Sequence, residues 1–214
     1  MTDIPVFDTQ NGVGSLVLRE IPYRGEAYIT VGAATDGAAF IKEAADFCTA
    51  VGADVIFVTG HAAAERYPHY SSVLLLAADR ESLEQTDALL FPVTEQTAEK
   101  WRTLYNEKFL KVPNAATITQ RDMQRLMKSC YFVHRNGQLI GIGKAEADRI
   151  GAIAAFAPGA GRDVVLALSH ILQEERITIE VATANPKARS LYERLGFIAV
   201  EERIKWYIVR GSLS

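Results

Sequence analysis

Ile177-Thr178-Ile179-Glu180-Val181-Ala182-Thr183-Ala184-Asn185-Pro186-Lys187-Ala188-Arg189-Ser190-Leu191-Tyr192-Glu193-Arg194-Leu195-Gly196-Phe197 is a run in which two periods meet. Through Ala182, β-branched residues alternate with polar ones, which predicts a short half-buried strand. A helix follows at once. Asn185 is a preferred N-cap, Pro186 stands at the first helical position, where its missing N–H costs nothing, and Gly196 ends the helix. Ala188 and Tyr192 share one helical face, and Leu191 and Leu195 form the apolar stripe beside it. A strand therefore delivers a phenol one turn behind a small residue. Taken alone, such a tyrosine is most simply an amphipathic filler with its hydroxyl at the surface.

Working upstream, Ala157-Pro158-Gly159-Ala160-Gly161-Arg162-Asp163 leads from a predicted strand ending at Phe156 into a helix from Val164 to Leu172. A glycine-rich turn at a helix N-terminus presents free N–H groups and the positive end of the dipole, a ready seat for pyrophosphate. Before it, Tyr131 to Arg135 turns at Asn136-Gly137 into Gln138 to Ala145, and Asp148-Arg149 turns into Ile150 to Phe156, giving three antiparallel strands in succession. Gly141 and Gly143 lie inside a strand, where glycine permits close packing and is no nucleotide fingerprint. Earlier still come a strand at Leu89 to Val93, a helix capped by Thr94 and stopped by Pro113, and a helix from Thr119 to Lys128 with Asp122 in the reciprocal capping position. After Gly196 two further strands are expected, Phe197 to Val200 and Ile204 to Val209.

The pattern Asn-x-x-Ala-x-x-Leu-Tyr-x-x-x-Gly-Phe after a strand resembles the acceptor-side motif of the GNAT superfamily of acyl-CoA-dependent N-acetyltransferases, and the resemblance runs from near Leu89 to the C-terminus. It implies an α/β (α+β) GNAT fold, a mixed, mostly antiparallel sheet flanked by helices, in residues 87–214. It further implies acetyl-CoA as co-substrate, without a metal, and an amine acceptor on a small molecule or protein. In that frame Tyr192 is the general acid for the departing thiolate, because a phenol titrates near 10 and a thiol near 8.5. Asn185 and Ala188 would face the cofactor arm. Backbone groups of Ile153, Ala154 and Ala155 would meet pantetheine and the oxyanion. Gly159, Ala160, Gly161, Arg162, Asp163 and Val164 would take the pyrophosphate. Glu146 and Glu180 are the candidate general bases by topology, and Trp101, Tyr105, Phe109 and Met123 are candidates for substrate contact or, more simply, core. One departure stands out. The family loop carries Arg or Gln followed by Gly-x-Gly-x-Gly or Gly-x-Ala, whereas here only Gly159-x-Gly161 remains, with Phe156 at the polar position.

The preceding residues, 1–86, predict a polar leader, a hairpin of Leu16 to Ile21 with Ala27 to Val31 around Pro22 to Gly25, a helix capped by Asp36 or Thr35 and ended by Val51-Gly52, and strands at Asp54 to Val58 and Ser72 to Ala77. This order of elements echoes the second half, and Val58 to Tyr67 echoes Val181 to Arg189, which suggests a degenerate GNAT-like half-domain. Its glycines, Gly32 and Gly37, are too far apart for a cofactor loop. With 214 residues, a net charge of −3 and 49% hydrophobic residues, the composition is that of an ordinary globular chain. Neither nucleic acid nor a membrane is expected as partner. The N-terminus lacks a signal-peptide pattern and no run reaches the roughly 20 apolar residues of a span, so a cytoplasmic monomer or homodimer is expected. Cys48 and Cys130 sit in hydrophobic patterns as buried thiols, and His61 with His69 makes a weak metal signal. Besides the transferase, the sequence leaves open an acyl-CoA-binding sensor without turnover, and a structural fusion in which the first half replaces a dimer partner.

Overall fold

Two short strands come first, β1 (Ile4–Thr9) and β2 (Gly12–Val17), paired antiparallel with Thr9 opposite Gly12. The computed structural model describes residues 2–112 and 114–211. Contacts divide it into two units, one running to Val73 and resuming at Arg203, the other Leu74–Glu202.

In the first unit a one-turn helix, α1 (Ile21–Arg24), leads to β3 (Glu26–Ala34), α2 (Gly37–Ala50) and β4 (Val55–Thr59). The unit also holds the first residues of β5 (His69–Asp79) and the last of β11 (Ile198–Arg210). Two expectations need correcting here. The polar leader is the edge strand β1, anchored where the Asp3 carboxylate accepts the Leu18 and Arg19 N–H groups at 2.9 and 3.0 Å. The expected β2–β3 hairpin does pair antiparallel, Leu16 opposite Ile29, but its connection is helical. Pro22 opens that helix and Gly25, at φ 68°, closes it, which is the usual asymmetry of helix ends. Strands β3 and β4 run parallel through five pairs, from Glu26–Val55 to Thr30–Thr59. Across them α2 buries Phe40, Ile41, Ala44 and Cys48 against Leu16, Ile29, Ile56 and Val58.

The second unit contains β6 (Leu89–Pro92), α3 (Ala98–Phe109), α4 (Gln120–Leu126), β7 (Cys130–Arg135), β8 (Gln138–Glu146), β9 (Arg149–Ala155), α5 (Gly161–His170), β10 (Arg176–Ala182) and α6 (Pro186–Arg194). Strands β6 to β9 form an antiparallel meander and β10 joins β9 in parallel. Asn136 and Gly137, at φ 52° and 75°, make the tight β7–β8 turn that their dipeptide predicts. Helix α5 covers one face of the sheet, burying Val164, Val165 and Leu168 with Ile150, Ile177 and Ile179. Helices α3 and α4 cover the other through Trp101, Tyr105 and Met123, which pack with Phe132, Ile142 and Ala154. The strand glycines serve the first of these contacts. A Cβ at Gly141 would lie 2.5 Å from Val164 Cγ2, and one at Gly143 2.2 Å from Leu168 Cδ1.

Three boundaries differ from the sequence expectation. Thr97, not Thr94, precedes α3, and the two hydroxyls lie 3.2 Å apart. The reciprocal Thr119–Asp122 box at α4 forms as predicted. Helix α5 begins at Gly161, so Arg162 and Asp163 belong to its first turn, and the two terminal strands are one continuous strand, β11. Pro113, expected to stop α3, lies outside the described residues. Among the described residues no helix is long and apolar enough to cross a membrane.

Candidate functional site

Strands β9 and β10 meet over two pairs only, Arg149–Thr178 and Ile150–Ile179. Beyond them the two strands part, while β9 stays paired to β8 as far as Ala155 opposite Gly141. The parting coincides with a bulge. Lys144 faces Ala152 and Ala145 faces Ile150, leaving Gly151 as the extra residue, and such an insertion bends a strand and turns its edge. The N–H and C=O groups on the β10 side of β9, through Ile153, Ala154 and Ala155, thus border a slot with no neighbouring strand in register. An unpaired edge of this kind is where an extended amide-bearing chain can add itself.

The upper end of the slot is the turn into α5. Gly159 takes φ 79°, a left-handed conformation natural to glycine, and the Val164 N–H to Ala160 carbonyl bond, 3.0 Å, starts the helical ladder. No side chain caps this end. The N–H groups of Gly161, Arg162 and Asp163 precede the ladder and stand at the positive end of the dipole. Gly161 also lets α6 come close, since a Cβ there would meet Leu191 Cδ2 at 3.0 Å. The side chains of Arg162 and Asp163 are committed elsewhere. Asp163 is buried, ion-paired to Arg135 and to Arg162, and accepts the Thr86 hydroxyl at 3.1 Å; Arg162 also holds Glu84. Only the backbone of these two residues remains for a ligand at the turn.

Asn185 caps α6 through its Oδ1, which accepts the Ala188 N–H at 3.2 Å. Ala188 packs at the edge of the α5-side core, and Tyr192 is buried within that core. Burial pushes the Tyr192 phenol up to about 12, so it stays protonated at neutral pH. Its hydroxyl has no hydrogen-bond partner among the described residues, and burial alone accounts for the raised value. The two carboxylates have different settings. Glu180 is one residue past the last β9–β10 pair and is ion-paired to Arg149, whereas Glu146 lies below the fork, 70% exposed and 3.7 Å from Lys144.

The FR47-like protein family matches residues 157–206, which span the turn, α5, β10 and α6. Among curated proteins none matches the chain in sequence. Solved structures do match in shape. A functionally unknown conserved protein from Staphylococcus epidermidis aligns over 99% of this chain and 95% of its own, with a TM-score of 0.62 at 12% identity. A GCN5-related N-acetyltransferase from Anabaena variabilis aligns over 92% of this chain and 59% of its own, with a TM-score of 0.58 at 13% identity. The fold is that of the GNAT superfamily. A GNAT-family acetyltransferase from Colwellia psychrerythraea covers 95% of this chain and 84% of its own, with a TM-score of 0.52 at 12% identity.

Within this GNAT fold the aromatic residues of α3 act as core. Trp101 is fully buried and donates its indole N–H to the Tyr131 carbonyl at 3.0 Å, and it forms a stack with Tyr105 and Phe109. Burial raises the free thiols of Cys48 and Cys130 to about 11 and 12, which keeps both unreactive. His61 Nδ1 accepts the Ala63 N–H at 3.0 Å, and the described residues hold no cluster of three metal-ligating side chains. Sequence reasoning passed over Gly151 and Lys144. An isolated glycine inside a strand pattern is the signal that could have found the bulge.

Proposed function

We propose that the protein is an acetyl-CoA-dependent N-acetyltransferase that moves an acetyl group to the primary amine of a small molecule or protein. The observation that carries this is the fork of β9 and β10 opening beside an uncapped helix N-terminus. Pantetheine would pair with the free edge of β9 at Ile153, Ala154 and Ala155, and pyrophosphate would accept the N–H groups of Gly161, Arg162 and Asp163 at the turn from Gly159 into Val164, where the Ala160 and Val164 N–H groups are already bonded. Asn185 and Ala188 would border the arm. Residues 87–214 would form the transferase domain, and residues 1–86 a degenerate half-domain that serves as scaffold.

In the reaction the amine nitrogen attacks the thioester carbonyl, the oxygen gathers charge, and the C–S bond breaks as the carbonyl re-forms. Backbone N–H groups at the bend of β9 suit the oxyanion, because they are fixed before charge develops. Tyr192 would give its proton to the departing thiolate. The raised phenol makes that transfer uphill by roughly 3–4 pKa units, or about 5 kcal/mol against a thiol near 8.5, so the proton moves as the C–S bond breaks. Glu180, at the fork and ion-paired to Arg149, is the better-placed carboxylate to take the amine proton through water, a step that depends on proximity. Thiol release from acetyl-CoA across a panel of amines tests the scheme. Tyr192→Phe should lower kcat about a hundredfold with KM for acetyl-CoA little changed. An unchanged rate removes Tyr192 from the mechanism.

The trimmed loop and Phe156 favour a second reading, an acyl-CoA-binding sensor. Tight acetyl-CoA binding in calorimetry without thiol release from any amine would decide for it.

A further inference from the structure

The face of β9 turned toward α3 and α4 carries charge that the scheme above leaves unused. Lys144, on β8, lays its stem across Gly151, where a Cβ would sit 3.3 Å from Lys144 Cδ and 3.7 Å from Cγ. Gly151 is the bulge residue at the fork, so the Lys144 stem lies against the bend of β9. The other face is covered by α5, which leaves this one for the acceptor.

The cations near the fork differ in how firmly they are held. Arg149 is in contact with Glu180, and Arg135 and Arg162 with Asp163. Among the described residues Lys144 has Glu146 as its one ionic partner, at 3.7 Å, and the lysine side chain is 26% exposed against 70% for the glutamate. A loose pair with a solvated partner contributes little, so this ammonium can take another anion at small cost. At the far end of the same face Lys108 Nζ stands 5.4 Å over the Phe156 ring. Between the two cations the floor is Ala152 and Ala154, which pack on the α3–α4 side.

Resting on the transferase reading, we propose that Lys144 binds an anionic group of the acceptor, and that the acceptors are amines bearing a carboxylate. A carboxylate on a half-buried ammonium forms a charge-assisted hydrogen bond and fixes the orientation of the amine. The same cation disfavours protonation of a nearby amine, which must be neutral to attack. A polycationic acceptor would meet an ammonium at each end of the floor and be repelled.

Matched acceptors test this, 4-aminobutyrate against butylamine and phenylalanine against phenethylamine, by thiol release and by calorimetry on CoA-saturated protein. Wild type should favour the carboxylated member about tenfold or more, Lys144→Met should abolish the preference through KM and through binding, and Lys144→Arg should retain most of it. Equal use of both members by wild type, or an equal loss for both in Lys144→Met, overturns the proposal. So does an acetyl group found by mass spectrometry on Lys144 itself, which would make it an acceptor. The two readings fail separately. Absence of thiol release with every amine sinks the transferase reading, while the calorimetric comparison still decides Lys144; absence of CoA binding sinks both.

Discussion

The β3–α2–β4 segment of the first unit and the β9–α5–β10 segment of the second are the same construction with opposite finishes. Each is a strand, a helix and a parallel strand, and each follows an antiparallel partner. Even the next element matches, since His61 caps the short helix after β4 as Asn185 caps α6 after β10. In the first unit the corresponding openings are closed. Strands β3 and β4 pair through five residues, the Asp36 carboxylate accepts the Ala38 and Ala39 N–H groups at 3.1 and 3.0 Å, and Gly37 lies against the His61 ring. In the second unit pairing ends after two residues and α5 has no cap. A capacity to bind would lie in what the backbone leaves unsatisfied, because a strand edge and a helix N-terminus are adhesive only while nothing local has used them.

The sharpest way to break that comparison is to give α5 a carboxylate of its own. Gly161→Asp places a negative charge in the uncapped first turn, and Gly161→Asn, whose side chain crowds Leu191 equally, separates that charge from the added bulk. Like charges brought together against a bound anion cost several kcal/mol, so calorimetry should find acetyl-CoA affinity reduced about a hundredfold or more, with the circular dichroism spectrum preserved. Unchanged affinity would remove the turn from the binding site.

A somewhat smaller effect should come from Tyr192, whose burial has a thermodynamic signature apart from catalysis. The phenol titrates near 10 in an unfolded chain and at about 12 here, so the fold favours the neutral form. Its contribution is complete below pH 10 and is lost as pH rises toward 12, amounting to roughly 2–3 kcal/mol for two units at 1.36 kcal/mol each. Urea titrations should show wild type losing more stability than Tyr192→Phe between pH 10 and 12. The difference between the two proteins isolates this residue, because Tyr28 and Tyr70 are also raised by burial and are common to both. Parallel pH profiles would mean that the phenol is solvated.

Much of this was legible in the sequence, and the exceptions share a cause. Asn185, Pro186 and Gly196 bound α6 where they should, and Thr119 with Asp122 bounds α4, because a cap is decided by residues three or four apart. The β1 strand has no clean period in the sequence, because Pro5 and Val6 are both exposed at an edge and only its pairing with β2 makes it regular. The split of Phe197 to Val209 into two strands was suggested by Glu201, Glu202 and Arg203, yet charged residues continue a strand where they face water, and eight successive positions from Ile198 to Lys205 are exposed. At the candidate site the turn and the phenol were readable. The fork, the bulge at Gly151 and the setting of Lys144 were not, since they depend on register between strands that no local spacing records.

The smallest expected effect tests the first unit. Asp36→Ala removes a cap worth about 1 kcal/mol, and in a chain of this size that should lower Tm by about 2–4 °C. Uncapping alone should create no second binding site, because β3 and β4 remain zipped and the His61 ring still covers Gly37, so the stoichiometry of acetyl-CoA binding should match wild type. If Asp36→Ala instead took up an additional equivalent of acetyl-CoA, the first unit would be a site held shut by one carboxylate. A helix cap would then suffice to separate scaffold from binding site, and strand pairing would have no part in the distinction.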